Sequence, residues 1–386
     1  MKPAKEEVAV TKSRSFLHRS IWWMNLVAVS GLIFSYLSMH VPPTRFWWFA
    51  LFGLGYGLLL ALNIFFILFW IWRRSRKFMV SLFVCLAGLG SILNIYEPPL
   101  FRNIEPDRSR YVHPLKVMSF NVRLFDLYNW FHSKNTRDNI FKFLSEESPD
   151  IACFQEFYTS ENPKYGLRNK DTLVRVLKAP YSHINYSVTM RGTDHWGIAT
   201  YSRYPIIRKR TLDFPGKTNN VCLVSDIVVG DDTIRVFNIH LESIRFKKED
   251  YRFIENLGND EVDQDELAGG LNILRRLKYA FVKRSDQVAQ VSREVSKSPY
   301  PVVLMGDFND TPNSYAVRIL SEEMKDAFRE SGTGFGKTYS GPFPSFRIDY
   351  IFHEKEIKSY GYRTHTGDLS DHFPISCYLT WKIRGL

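Results

Sequence analysis

Val302-Val303-Leu304-Met305-Gly306-Asp307-Phe308-Asn309-Asp310 runs from four apolar residues into a glycine, then alternates acid, aromatic, amide and acid. Residues 301–305 have the β-branched and apolar character of a buried strand. Side chains alternate across a strand, so the pattern sends Asp307 and Asn309 to one face and Phe308 to the other. A carboxylate beside an amide at a strand end can aim a water and hold an anionic oxygen. Turn chemistry accounts for the same residues, because Gly-Asp and Asn-Asp favour turns.

Three more short motifs follow or end apolar runs: Phe154-Gln155-Glu156, Arg347-Ile348-Asp349-Tyr350 and Ser370-Asp371-His372. Carboxylates, amides and imidazoles carried to strand ends are the parts of a metal-assisted phosphoester-cleaving site. Such a site needs a cation on the phosphoryl oxygens, a water aimed in line with the leaving group, and donors for the charge that develops. Magnesium prefers hard oxygen ligands and keeps several waters, so one or two carboxylates suffice. Glu156, closing the run 151–154, is placed to be the principal ligand, and Asn121 could add an amide oxygen; a surface turn and a turn-forming Asn are the bland readings of the two. Asp349 lies in the apolar run 348–352, where an unpaired carboxylate would be costly. Its expected partner is His372, whose tautomer and charged form a carboxylate would support. His240, ending the run 233–239, could donate to a phosphate oxygen, although a lone histidine there is more often structural.

The rest of the chain from residue 112 mixes short strands (116–122, 151–155, 197–202, 221–229, 233–241, 301–305, 348–352, 374–383) with helices expected at 136–147 and 271–295. This predicts an α/β domain of packed sheets with outer helices. Residues 247–270 carry eight acidic groups and read as a solvated surface insertion rather than a lid.

The formal charge of +11 suggests a nucleic-acid partner until it is divided. Residues 1–112 hold 13 Lys and Arg against 5 Asp and Glu, and the remainder holds 38 against 35. The catalytic part therefore lacks the basic stripe that phosphate tracking favours. The four cysteines show no metal-ligand spacing and read as small core residues.

The basic excess belongs to an N-terminal segment with apolar runs at 21–40, 46–72 and 78–96, each near the roughly 20 residues a membrane span needs. The reading is a basic tail (1–20), three transmembrane helices (21–96), a proline-bearing linker (97–111) and a catalytic domain (112–386). Tryptophans near the run ends fit the headgroup region, and basic residues in the tail and at 73–77 predict a cytoplasmic N-terminus. Three spans then place the catalytic domain outside the cytoplasm, in a multi-pass protein of a plasma or inner membrane.

These motifs resemble the endonuclease/exonuclease/phosphatase family in order. Ser119-Phe120-Asn121-Val122-Arg123 looks like its first motif, Pro149-Asp150-Ile151 leading to Gln155-Glu156 like its metal-glutamate motif, and Gly197–Arg203 like its central strand. Asn238-Ile239-His240-Leu241 is similar to its N-x-H-L motif. Residues 306–309, 347–350 and 370–372 complete the set. The resemblance implies a deoxyribonuclease-like two-sheet α/β sandwich with flanking helices. It implies Mg2+ (with Mn2+ as a substitute) on Glu156, Asn121 and Asp371, Asp307 on the attacking water, and Asn309, His240 and His372 on the phosphoryl group, with Asp349 orienting His372. Whether His372 acts as base or charge stabiliser stays open. The expected substrate is a lipid head group or other small phosphoester near a bilayer; a nuclease acting on DNA or RNA, and a catalytically silent scaffold, are the alternatives.

Overall fold

The computed structural model describes residues 3–99, 114–133, 135–216, 218–246, 249–250, 264–341 and 346–382, with backbone alone at 3–15 and 264–268. Most of the acidic insertion and of the expected linker lies outside the described residues. The chain divides into two units, Met1–Leu93 with Asn313–Tyr315, and Asn94–Pro312 with Ala316–Leu386.

The N-terminal unit is helical, but not as three straight spans. Among the described residues one helix, within Pro3–Ser38, is by itself long and apolar enough to cross a membrane, over Phe16–Ser38. The expected second span breaks into Phe49–Leu54 and Tyr56–Trp72, with Gly55 capping the first piece. The expected third is Phe78–Ala87 and Leu89–Ile95, bent by 64°. The cause is in the sequence: the breaks fall at Gly55 and Gly88, and glycine costs a helix interior about 1 kcal/mol relative to alanine.

This unit buries polar groups among apolar ones and leaves many large apolar side chains exposed. Asn25 is fully buried, donating to Ser81 Oγ at 2.6 Å and accepting from Trp70 Nε1 at 2.8 Å. Buried Asn63 donates to the Ala28 carbonyl. Trp23, Val27, Leu58, Phe65, Trp72 and Phe83 face outward, each more than half exposed.

The larger unit holds twelve named strands: β1 (Leu115–Asn121), β2 (Ile151–Ser160), β3 (Tyr181–Met190), β4 (Asp194–Ser202), β5 (Ile206–Asp213), β6 (Val221–Val229), β7 (Asp232–His240), β8 (Val302–Asp307), β9 (Met324–Asp326), β10 (Asp349–Glu354), β11 (Lys358–Thr364) and β12 (Ile375–Thr380). They form two six-stranded sheets, ordered β11-β12-β1-β2-β4-β3 and β5-β6-β7-β8-β10-β9. Central pairs β1/β2 and β7/β8 are parallel; the other pairs are antiparallel. Val117, Ile151 and Cys153 of one sheet share a buried cluster with Val236, Val303, Met305 and Ile351 of the other. The alternate residues Met118, Phe120, Ala152 and Phe154 pack outward under Thr136–Glu147 and Asn169–Leu177 through Ile140, Leu144 and Leu173. Both faces of the central strands are thus buried, as parallel pairing between covering helices requires.

The long helix Gln264–Val295 buries Leu277, Phe281, Val288 and Val291. Its fully buried Arg284 donates to Asp310 Oδ2 at 3.0 Å and to the Glu242 carbonyl at 2.9 Å. That one guanidinium fixes the loops leaving β7 and β8, which carry site residues.

Candidate active site

Strand register lines up the chemistry. His240 on β7 stands beside Asp307 on β8, and Asp307 beside Asp349 on β10. Because all three occupy inward-facing positions, they form a row at one end of the second sheet. On the facing sheet the inward rows Val117-Ser119-Asn121 and Ile151-Cys153-Gln155 end at the same level. Gln155 Nε2 crosses to Asn238 Oδ1 at 2.7 Å, and Asn238 donates to the Ala199 carbonyl at 2.9 Å, so a satisfied polar layer separates site from core.

Asp307 is the hub. Its Oδ2 accepts from Asn121 Nδ2 at 3.0 Å and lies 3.7 Å from both His240 Nε2 and His372 Nε2. Its Oδ1 accepts from the Asn309 backbone at 2.8 Å. The expected strand alternation ends at Asp307: Asn309 has a φ of 51°, so turn geometry sets its direction. Its side-chain amide donates to the Leu241 carbonyl at 3.0 Å. Gly306 is needed here, since at its φ of 148° a Cβ would stand 1.9 Å from the Ile239 carbonyl oxygen.

The expected Asp349–His372 pair is present. His372 Nδ1 donates to Asp349 Oδ2 at 3.0 Å, and both residues are buried. Thr338 Oγ1 accepts from the Asp349 backbone, and the Tyr339 ring stands edge-on to the imidazole at 5.2 Å. Burial pushes the Asp349 carboxyl up to about 6, with Asp307 adding to the rise and His372 opposing it. Burial alone would lower His372; the Asp349 and Asp307 carboxylates outweigh it and hold the imidazolium well above its ordinary range.

Glu156 departs from the expected strand end. β2 continues to Ser160, and Glu156 is the residue of a bulge, with a φ of 49° where the pairing to β4 slips between Phe154 and Phe157. A bulge re-aims a side chain out of the ladder. Here it brings the half-buried carboxylate to within 3.4 Å of Asn121 Nδ2, with the rest of its lone pairs uncommitted among the described contacts. Asp371 is tied elsewhere: its Oδ2 pairs with Arg123 Nε at 3.3 Å.

A cation of the hard, oxygen-seeking kind fits this donor set. Asp307, Asp349 and His372 offer ligand atoms within 4.8 Å of one another. Within that trio Asp349 Oδ2 and His372 Nδ1 are already bonded to each other. Glu156 is the carboxylate with oxygens to give, and hard carboxylate and amide oxygens suit Mg2+.

Three contributors had no role assigned from the sequence, although Ser370 and Arg123 stand within its motifs. Ser370 Oγ donates to the Asn121 carbonyl at 2.8 Å and accepts from the His372 backbone at 3.2 Å, latching the Asp371–His372 loop to β1. Thr338 positions Asp349. Arg123 begins a turn in which Arg123, Leu124, Phe125 and Asp126 all have φ between 41° and 57°. Conformations of this kind cost on the order of 1–3 kcal/mol per residue, and no glycine in the sequence announces them.

The sequence profile described as Endonuclease/Exonuclease/phosphatase family matches residues 118–372. The chain belongs to the endonuclease/exonuclease/phosphatase family. A second profile, a domain of unknown function (DUF8431), matches residues 18–95. No curated protein sequence matches the chain. Similar solved structures include the endonuclease/exonuclease/phosphatase from Beutenbergia cavernae DSM 12333, at 18% identity over 70% of this chain and 72% of that one, TM-score 0.49. The human Nocturnin catalytic domain with bound sulfate anion aligns at 16% identity over 74% and 99%, TM-score 0.48. D. rerio TDP2 complexed with single strand DNA product aligns at 16% over 69% and 99%, TM-score 0.48. Membership in the family makes the chain a divalent-metal-dependent hydrolase of phosphoester bonds.

Proposed function

We propose that this protein is a membrane-tethered, Mg2+-dependent phosphoesterase acting on a small phosphoester by in-line attack of water. The observation that carries the reading is the hub at Asp307, where one buried carboxylate meets Asn121, His240, Asn309 and His372. Glu156 would hold the ion, with Asn121 beside it and Asp371 contributing lone pairs not used by Arg123. The ion supplies neutralisation of phosphoryl oxygens and a lowered barrier for the leaving group.

The chain's own residues do the rest. Asp307 aims the attacking water and takes up its proton. His372, kept charged between Asp349 and Asp307, donates through Nε2 to the phosphoryl oxygens as charge develops. His240 and Asn309 flank Asp307 and complete the donor set. Preorganised donors of this kind need no reorganisation during reaction, which is the usual source of the largest rate gain.

The tether is supported by the helical unit's exposed tryptophan, phenylalanine and leucine side chains and by its buried, hydrogen-bonded asparagines. Interhelical amide bonds inside and apolar side chains outside suit a lipid solvent. A lipid head group is accordingly the favoured substrate. A polynucleotide is the competing one, and the near-neutral charge beyond residue 112 argues against it. The test is a panel of a phospholipid, a phosphomonoester, an inositol phosphate and plasmid DNA offered to the full-length protein in detergent with and without Mg2+. Mg2+-dependent hydrolysis of a small ester supports the reading; turnover confined to DNA would replace it with a nuclease.

A further inference from the structure

We infer that Tyr128 and Trp130 form a stacking platform for a planar aromatic group carried by the substrate next to its scissile phosphate. The inference rests on the phosphoesterase reading above and, within its small phosphoesters, moves the choice from a lipid head group to one that bears an aromatic ring.

The left-handed turn at Arg123–Asp126 is anchored from below. Phe125 is buried, its ring 5.6 Å from Phe141 and 5.9 Å from Phe157. Asp126 Oδ1 accepts from the Trp130 backbone at 2.7 Å. The turn thus holds a strained shape, and such shapes cluster at ligand clamps. Its product is a pair of outward rings: Tyr128 is 61% exposed and Trp130 40%, edge to face at 5.1 Å. Arg123 lies over Trp130 and the neighbouring Phe131, its guanidinium carbon 4.5 Å and 5.5 Å from the two ring centres.

The same arginine reaches the site. Its backbone N–H donates to Asn121 Oδ1 at 3.1 Å and its Nε pairs with Asp371 at 3.3 Å. Asn121 in turn contacts Glu156 and Asp307. The rings are therefore one residue removed from the groups that would hold the phosphate. Rigid Tyr and Trp side chains offer large contact area at low entropic cost, and guanidinium planes and aromatic rings together are what flat bases stack on.

The ligand chemistry follows from what already covers the rings. A choline-type cation would have to displace Arg123 from Trp130, so a cationic head group is disfavoured. Bilayer insertion would bury exposed Asn129, which lies between the two residues in the chain. A nucleotide-like or aryl phosphoester satisfies both constraints.

Calorimetric titration of the full-length protein in detergent with Mg2+ compares AMP with ribose 5-phosphate, which differ only in the base. AMP should bind about tenfold more tightly, the order expected for one stacked base. In the double variant Tyr128→Ala, Trp130→Ala the advantage should fall below about threefold, with the ribose 5-phosphate affinity unchanged, whereas Trp130→Phe should retain most of it. Equal affinities in the unaltered protein, or an advantage that survives the double variant, overturn the platform. So does a double variant that loses only its binding to phosphatidylglycerol vesicles, which would make the rings a bilayer contact. Failure of the phosphoesterase reading looks different: neither ligand's affinity depends on Mg2+ or on Glu156.

Discussion

Replacing Asp349 by asparagine tests the proposed acid–base role of the Asp349–His372 pair. Asp349 Oδ2 accepts from His372 Nδ1 at 3.0 Å, both groups are buried, and Asp349 Oδ1 has no hydrogen-bond partner among the described residues. The amide keeps the shape and loses the charge. Its oxygen can still accept from Nδ1–H, which places its NH2 where Oδ1 now stands, with no acceptor. A buried polar group left unsatisfied costs about 1–3 kcal/mol, and each kcal/mol lowers Tm by roughly 2–4 °C in a domain of 150–250 residues. A charge-assisted hydrogen bond is worth about 1.5–3 kcal/mol, so kcat should fall about 10- to 150-fold at roughly 1.4 kcal/mol per decade.

The pH profile carries the sharper signature. His372 is held well above its ordinary range by Asp349 and Asp307 against the opposing effect of burial. If the protonated imidazole is the working form, activity is retained below that raised value and lost as pH rises through it. Removing the Asp349 charge moves this alkaline limb to lower pH. The assay is hydrolysis of bis(4-nitrophenyl) phosphate by the full-length protein in detergent with Mg2+, from pH 5 to 10, with a thermal scan of each variant. A kcat within twofold of the unaltered protein, or an alkaline limb that does not move, would refute that role.

Two further predictions concern the scaffold. Gly306→Ala should destabilise the protein by more than about 3 kcal/mol, because the new methyl meets the Ile239 carbonyl oxygen at 1.9 Å; a denaturant midpoint unchanged from the parent would contradict the close approach. Glu330 should set part of the acid limit. Burial raises its pKa, but His353 at 3.1 Å and the Ser359 backbone and hydroxyl outweigh it and lower it to about 2. Its contribution, on the order of 3 kcal/mol, is then present above pH ~4.5 and lost as pH falls toward about 2. In Glu330→Gln that segment of the stability–pH curve should flatten, and a variant curve parallel to the parent's down to pH 2 would remove the argument.

Much of the site was legible because period two is legible. The inward rows of four central strands pass from apolar to polar: Val117-Ser119-Asn121 and Cys153-Gln155 end on amides, Val236-Asn238-His240 on an imidazole and Met305-Asp307 on an acid. A strand that must seal a core and end at a polar site has to read this way. Edge strands β3, β5 and β11 escaped because their faces are mixed; β5, with Arg208, Lys209 and Arg210 outward, is a charged edge of the kind that resists pairing with other chains.

Conformations with no residue signature also escaped. The bulge at Glu156 and the turn at Arg123–Asp126 use left-handed geometry without glycine. The helical unit failed in the opposite way. Apolar length suggested three straight spans, while Gly55 and Gly88, present in the same sequence, carried the information that two of them are broken. Asp371 was assigned by family resemblance alone, and its ion pair with Arg123 depends on the turn that the sequence did not reveal.

The central claim is that distant parts of the chain meet as one divalent-ion phosphoesterase site, and Glu156→Ala tests it most directly. We measure Mg2+-dependent hydrolysis of bis(4-nitrophenyl) phosphate by the full-length protein and this variant, each with and without EDTA. The account predicts turnover that EDTA abolishes and Mg2+ restores in the unaltered protein, and a loss of at least about 100-fold in the variant with an unchanged melting temperature. Turnover indifferent to EDTA, or a variant as active as its parent, would contradict it.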